Sequence, residues 1–211
     1  MNNVFVEQGE KLGNTVVEAL NKNGFKAQFV ANKEEALVTA LKLIEKGDSV
    51  GMGGSQTVTA VGLEEALKKQ GNIVFNHQGL SKEEAFKVRR EELTADVFVA
   101  SANAVTLEGE LVNVDGTGNR VAAMTFGPGK IIIIAGINKI VEDERAGRER
   151  IKMSAAPLNC IRLKRHTPCV AVGKCMDCHS PERICNVTSI IHRPVAPVEY
   201  HIIIVGEPLG Y

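Results

Sequence analysis

The sequence contains no tryptophan, and aromatic residues make up only 4% of its 211 positions. That is too few for the stacking platforms on which single-stranded bases rest. Charge of either sign is not in excess, because 25 Lys and Arg balance 25 Asp and Glu. The basic footprint of a nucleic-acid binder or an anionic-membrane binder is therefore missing. The opening stretch, "MNNVFVEQGEK", has no basic start leading into an apolar core, so no signal peptide is visible. The longest strongly apolar runs, "KIIIIAG" and "YHIIIVG", fall far short of the ~20 residues that span a bilayer. These absences predict a cytoplasmic protein with no nucleic-acid partner and no membrane insertion.

Cysteine is scarce as well, with five in the chain, yet four of them fall within residues 167–186, "TPCVAVGKCMDCHSPERICN". In a reducing compartment clustered thiols point to metal or redox chemistry rather than to a structural disulfide. An odd total also leaves one thiol outside any fully paired scheme.

What is present suits a packed globular protein: 44% apolar and 24% charged residues. Residues 3–22 carry apolar positions at helical spacing, with Gly24 as a stop. Residues 25–31 read as a strand. Residues 32–47 read as a helix with Asn32 as N-cap and Gly47 as its end. A strand running into the glycine loop "GMGGSQT" (51–57) comes next, then a helix over "TVTAVGLEEALKKQG" and the strand "NIVFN". A helix with a Ser81–Glu84 capping box follows. "DVFVASANAVT" reads as a strand and "GELVNVDG" as its hairpin partner, with Glu108-Gly109 near the turn. "GKIIIIAG" is a buried strand and "VEDERAGRERIKMSAA" a charged helix. After the cysteine segment the chain returns through "SIIHR" to a last strand, "EYHIIIVGEPLG". Its "IIIV" is apolar at every position, as in a strand covered on both faces. Alternating strands and helices predict an α/β fold with a mostly parallel sheet flanked by helices, the cysteine segment being an excursion before the final strand.

Three stretches could hold a ligand. In "GMGGSQT", Gly53 and Gly54 allow close backbone approach, and Ser55 and Thr57 could add hydroxyl donors at a helix N-terminus, an arrangement that suits an anion. The same residues would serve a tight turn with a plain N-cap. The loop is neither a Walker loop nor a dinucleotide fingerprint. In "DGTGNR", Asp115 could act as a base or orient a cation, with Asn119 beside it, and Arg120 could grip a carboxylate or phosphate. Local turn bonds and a surface arginine account for them equally. Lys139, just after the "IIIIAG" strand, could reach the same cleft, because α/β sheets bind ligands at the carboxyl ends of their strands.

Cys169, Cys175, Cys178 and Cys185 have the spacing Cys-x5-Cys-x2-Cys-x6-Cys. The inner "CMDC" can turn both thiolates toward one centre, and four thiolates would hold a [4Fe–4S] cluster or a zinc ion. Metal-free redox thiols are the third reading. His179 is a substitute ligand by position, and Lys174, Arg183 and Arg165 could offset the negative charge. Cys160, on the apolar side of "LNCIRL", reads as a small buried residue.

Taken together, "GGSQT", "DVFVASANAVT", "GELVNVDGTGNRVAAM", "GINKIVEDERAGRERI", "AAPLN" and "CMDCHSPERIC" resemble the LUD (lactate-utilisation) domain family, in its bacterial branch with a C-terminal cysteine segment. The likeness covers most of the chain and implies one LUD-type domain over 1–211. It implies a fold like that of the sugar-phosphate isomerase and CoA-transferase superfamily, and a place in systems that oxidise L-lactate to pyruvate beside redox partner subunits. In that superfamily a glycine loop after an early strand binds phosphate or related anions, a place held here by Gly53, Gly54, Ser55 and Thr57. Glu108 is the carboxylate nearest the transferase nucleophile's region, but its surroundings do not match the transferase motif, so it receives no covalent role. The expected ligand is a small anionic metabolite. No flavin or nicotinamide fingerprint occurs, so an electron acceptor would lie on a partner. An enzyme or sensor for a phosphorylated or acyl metabolite with structural zinc, and a non-catalytic scaffold, are the competing functions.

Overall fold

The computed structural model describes residues 3–211. Its main element is a six-stranded sheet, every strand parallel to its neighbours. The strands are β1 (Lys26–Val30), β2 (Ser49–Met52), β3 (Ile73–Asn76), β4 (Val97–Ala100), β7 (Lys130–Gly136) and β10 (Glu199–Val205), in the order β1-β10-β7-β4-β2-β3. Between β4 and β7 the chain builds part of a second sheet from β5 (Ala104–Thr106) and β6 (Leu111–Asp115). It is completed by β8 (Ile140–Val141) and β9 (Val187–Ile191), in the order β8-β5-β6-β9.

The unbroken apolar runs have a direct physical reading. Along β10, Ile202 and Ile204 enter one core while Ile203 and Val205 enter the other, and all four are fully buried. β7 divides in the same way, Ile131 and Ile133 opposite Ile132 and Ile134. One face is covered by α1 (Asn3–Lys22), α6 (Asn119–Phe126) and the second sheet. The other is covered by α2 (Lys33–Lys42), α3 (Gln56–Val61) and α4 (Leu63–Gln70). Alternation on a two-faced strand places every residue in a core, which is why these runs show no polar period.

Local signals act as expected at several ends. Asn32 accepts the Glu35 N–H and caps α2. Ser81 and Glu84 form a reciprocal capping box on α5 (Lys82–Thr94). Glu108-Gly109 turns the antiparallel β5–β6 hairpin, with Gly109 in the left-handed region at φ 80°. The structure differs in three places. The helix expected after the glycine loop is broken at Gly62 (φ 74°) into α3 and α4. "DVFVASANAVT" is not one strand, because residues 101–103 leave the main sheet and carry β5 into the second. Helix α6 occupies a stretch that reads as polar turn. The last strand, whose place in the sheet no local signal sets, inserts between β1 and β7.

The charged helix runs further than its pattern suggests, as α7 (Glu144–Arg150), a π-helical turn over 151–155 and α8 (Ala156–Arg162). Pro157 explains the turn. It has no N–H, and the Ala156 N–H bonds back to the Ile151 carbonyl. The Lys152 carbonyl thereby loses its helical donors and instead accepts the Cys175 N–H at 2.8 Å. A break in the helix thus becomes the dock for the cysteine excursion, which contains the short helix α9 (Pro168–Val172).

One glycine sets how closely α5 approaches the sheet. A Cβ on Gly51, in β2, would lie 2.7 Å from the Glu92 carbonyl oxygen and 2.8 Å from its Cα. Gly51→Ala should therefore lower the unfolding free energy by about 1–3 kcal/mol, the usual cost of overpacking against backbone. Gly129→Ala, where nothing lies within 4 Å, should be near neutral in the same urea titrations.

Candidate functional site

In a parallel sheet all carboxyl ends share one edge, and here the loops leaving β2, β3, β4 and β7 converge on a cavity of about 640 Å³. Seven of the eight residues singled out for ligand binding line it: Gly54, Ser55, Thr57, Asp115, Asn119, Arg120 and Lys139. Gly53 does not. It lies behind the loop, its N–H extending the ladder to the Val99 carbonyl at 3.1 Å.

At the inner end Lys139 is 3% exposed and its Nζ donates to Thr57 Oγ1 and Ser101 Oγ, both at 2.8 Å. Thr57 passes its own proton to the Leu209 carbonyl at 3.1 Å, which ties the C-terminal segment to the site. Among the described residues no carboxylate bonds to this ammonium. Burial, then the charges of Arg150 and Arg120, push its pKa down from 10.5 to about 7.

Arg120 is a partly buried residue whose guanidinium is turned inward rather than out to solvent. Its guanidinium donates to the Ser101 and Val114 carbonyls at 2.9 Å, to Asn113 Oδ1 at 2.6 Å and to Asn103 Oδ1 at 2.8 Å. Burial works against its charge, and nearby Asp115 partly offsets this. Asp115 itself accepts the Arg120 and Val121 N–H groups at 3.0 and 3.2 Å. It caps α6, which is the local turn role. Asn119 reaches from the same turn to Glu92 Oε2 at 3.4 Å. Ser55 is an N-cap as well, accepting the Val58 N–H at 3.2 Å. Helix α3 is only six residues long, so its dipole adds little, and the positive potential comes from side chains.

Those side chains are numerous. Lys82, Arg89, Arg120, Lys139, Arg162 and Arg165 line the cavity, with Asp115 the one carboxylate among them. Nε of Arg89 and Nε of Arg165 are buried and have no hydrogen-bond partner. Composition hides this arrangement, because the chain as a whole is neutral.

One residue on the wall and a buried partner behind it escape a sequence reading. His77, just after β3, places Nδ1 2.6 Å from Glu92 Oε1. Glu92, on the last turn of α5, is 1% exposed. The signal available was position alone: a histidine at the carboxyl end of a parallel strand.

The five cysteines are free thiols. Cys160 is buried, as a small residue would be, but burial brings it against Thr167 and Cys169, and desolvation pushes its pKa up to about 11. Cys169 is buried at the start of α9, 3.2 Å from Thr167 Oγ1. In the "CMDC" turn Asp177 takes a left-handed conformation (φ 45°), and its N–H donates to Cys175 Sγ at 3.3 Å. Arg183 donates to the carbonyls of Cys178 and Cys185 and so ties the two ends of the segment together. The Cys185 charge raises the Arg183 pKa, while burial raises that of Cys185. The Asp177 N–H is the one backbone donor given to a sulfur in this turn, while burial holds Cys185 toward its protonated form. Among the described residues, no three His, Cys, Asp or Glu side chains converge as one metal ion requires.

The excursion is not remote from the cavity. Ile184 and Arg165 line both. Asn186 donates through its N–H to the Asp115 carbonyl at 2.9 Å and through its side chain to the Gly116 carbonyl at 3.0 Å. A Cβ on Gly116 would lie 3.0 Å from Ile184 Cα.

An α/β protein with a parallel sheet, a second sheet at its ligand edge and a cationic cavity between them is the class this architecture defines. The LUD domain model matches residues 14–205, and the chain belongs to the LUD-domain family, which is linked to lactate utilisation. The fold is similar to that of a DUF162 family protein from Deinococcus radiodurans. The TM-score is 0.56 at 14% identity, over 93% of this chain and 98% of that one. No curated protein matches the chain. No helix among the described residues is long and apolar enough to cross a membrane.

The buried lysine makes stability depend on pH in a defined direction. Its folded pKa of about 7 lies below the ordinary 10.5, so the unfolded chain binds more protons between those values. Stability from this group is fully present above 10.5 and is lost as pH falls through 7. Urea titrations should show the wild type gaining, across that window, on the order of a few kcal/mol that Lys139→Met does not gain.

Proposed function

We propose that the cavity binds a small anionic metabolite, its charged group against Lys139, Thr57 and Ser101. In this reading the chain serves as a component of a redox system that converts L-lactate to pyruvate. The observation that carries it is the charge imbalance of the lining: six Lys and Arg against one acidic side chain. Cations held near one another without counter-charges repel, and an anion among them would offset that repulsion.

The donor chemistry of the cysteine segment supports a [4Fe–4S] cluster held by Cys169, Cys175, Cys178 and Cys185. The same four thiolates would hold a zinc ion in the competing reading. When bound, the cluster would carry electrons singly. Oxidation of lactate releases two, and their acceptor would be a redox partner subunit. Of the two ends of the excursion, the one next to Cys185 docks on the Asp115–Gly116 turn, so ligand and cluster would share one wall.

The size of the cavity favours a second reading, a phosphorylated or acyl metabolite larger than lactate, with the cysteines purely structural. Thermal-shift measurements with L-lactate, pyruvate, inorganic phosphate, sugar phosphates and CoA esters separate the two by which class stabilises the protein. Gly54→Val should abolish any shift. Its Cβ meets only ordinary contacts at 3.7–3.8 Å, so the variant should fold, and its methyl groups would enter the cavity. An undiminished shift would place the ligand elsewhere. Iron, sulfide and zinc analysis of anaerobically purified protein should give iron and sulfide in similar amounts. Stoichiometric zinc in colourless protein would overturn the electron-transfer role.

A further inference from the structure

The anion-binding reading leaves the His77–Glu92 pair without a task. The His77 side chain is 12% exposed, and both its Nδ1 and its backbone N–H meet Glu92 Oε1, at 2.6 and 3.3 Å. Asn119 Nδ2 occupies Oε2. Among the described residues no Lys or Arg pairs with this carboxylate, so its one ionic partner is the imidazole. Burying a carboxylate is expensive, and a buried pair of this kind is weak evidence for stability. The arrangement is therefore a weak way to gain stability. It is an effective way to fix a ring, because a carboxylate at Nδ1 selects the Nδ1–H tautomer and leaves the Nε2 lone pair free. That lone pair faces the cavity. A Cβ built on Gly54 would lie 3.7 Å from Nε2, and Gly54, Thr57 and Lys139 line the same cavity as His77. Gly51 serves the same end by letting the Glu92 backbone approach within the reach of β2.

We propose that His77 is the catalytic proton acceptor of this cavity, taking the hydroxyl proton of a bound hydroxylated anion, with Glu92 as the positioning residue that holds the ring. The charged group of the ligand, a carboxylate or a phosphate, sits at Lys139, and its hydroxyl faces Nε2. In the step the ligand O–H bond breaks and an Nε2–H bond forms. The electron pair stays on the ligand oxygen, and the imidazolium charge is paired with Glu92. The reverse transfer restores both partners. The inference rests on the reading of the cavity as an anion site.

Nitrogen NMR of histidine-labelled protein tests it, with His77→Gln used to assign the ring. In ligand-free wild type, Nδ1 should carry the proton and Nε2 should resonate as an unprotonated ring nitrogen. Glu92→Gln, which keeps the shape but removes the charge, should mix the tautomers and draw the two nitrogen shifts together. Should that variant fold poorly, the tautomer of the wild-type ring still decides. Addition of L-lactate, for a carboxylate, or glycerol 3-phosphate, for a phosphate, should move the Nε2 resonance, and the stronger effect identifies the charged group. A proton on Nε2 in the free protein would overturn the proposal. So would an Nε2 resonance unmoved by a probe that shifts the Gly54, Ser101 or Lys139 amides, and that outcome would leave the anion site standing. If neither probe shifts those amides, the anion site falls and the proton acceptor falls with it.

Discussion

The guanidinium of Arg120 holds the two sheets and the cavity in one arrangement. It collects acceptors from the residues that leave β4, from the loop into β5 and from β6, all of them neutral and all within 2.9 Å. A buried arginine tolerates loss of water only when its donors are taken, and removing one partner of such a group typically costs several kcal/mol. The second sheet is fixed against the first because this charge must be solvated by its polar atoms. The same requirement orients Asn103 and Asn113 and leaves the cavity floor positive.

That floor shows how a chain with no net charge can carry a cationic cavity. Opposite charges elsewhere are spent on exposed helix pairs, such as Glu64–Lys68 and Glu144–Arg148, each worth little individually. At the carboxyl edge of the sheet the cations lack such partners. Lys139 is held by two hydroxyls, and burial, then the charges of Arg150 and Arg120, depress its pKa. The cysteine excursion meets this edge because Pro157 frees a helix carbonyl for Cys175 and because Gly116 lets Ile184 approach its backbone. Proton transfer at His77, charge recognition at Lys139 and thiolate chemistry at the excursion would then be arranged around one cavity, each from a different loop.

Much of the fold was legible because its signals are local. A capping box at Ser81–Glu84, an N-cap at Asn32, a hairpin turn at Glu108-Gly109 and isoleucine runs bounded by glycines each specify their element without help. Less was legible where one residue answers to distant partners. Helix α6 reads as turn because its cap, Asp115, belongs to the preceding strand. Arg120 reads equally as surface or ligand contact, and its burial follows from acceptors up to 19 residues away. His77 and Glu92 carry no motif at all. They are 15 residues apart and meet only because α5 packs on β2 across Gly51. Cys160 joined the thiols for a similar reason, since a buried helical position and an excursion share one interior.

By itself, the sequence determined the alternation of elements, the doubly covered strands, the glycine loop, the four-thiol spacing and membership of the LUD-domain family. These depend on period, composition and short-range chemistry, which a linear chain displays. Tertiary structure alone decided the order of the strands, the cationic cavity inside a neutral protein, the His77–Glu92 pair beside it and the contact of the cysteine excursion with the carboxyl edge of the sheet. Desolvation and pairing depend on which side chains face one another, and that is settled when the sheet brings its carboxyl ends together.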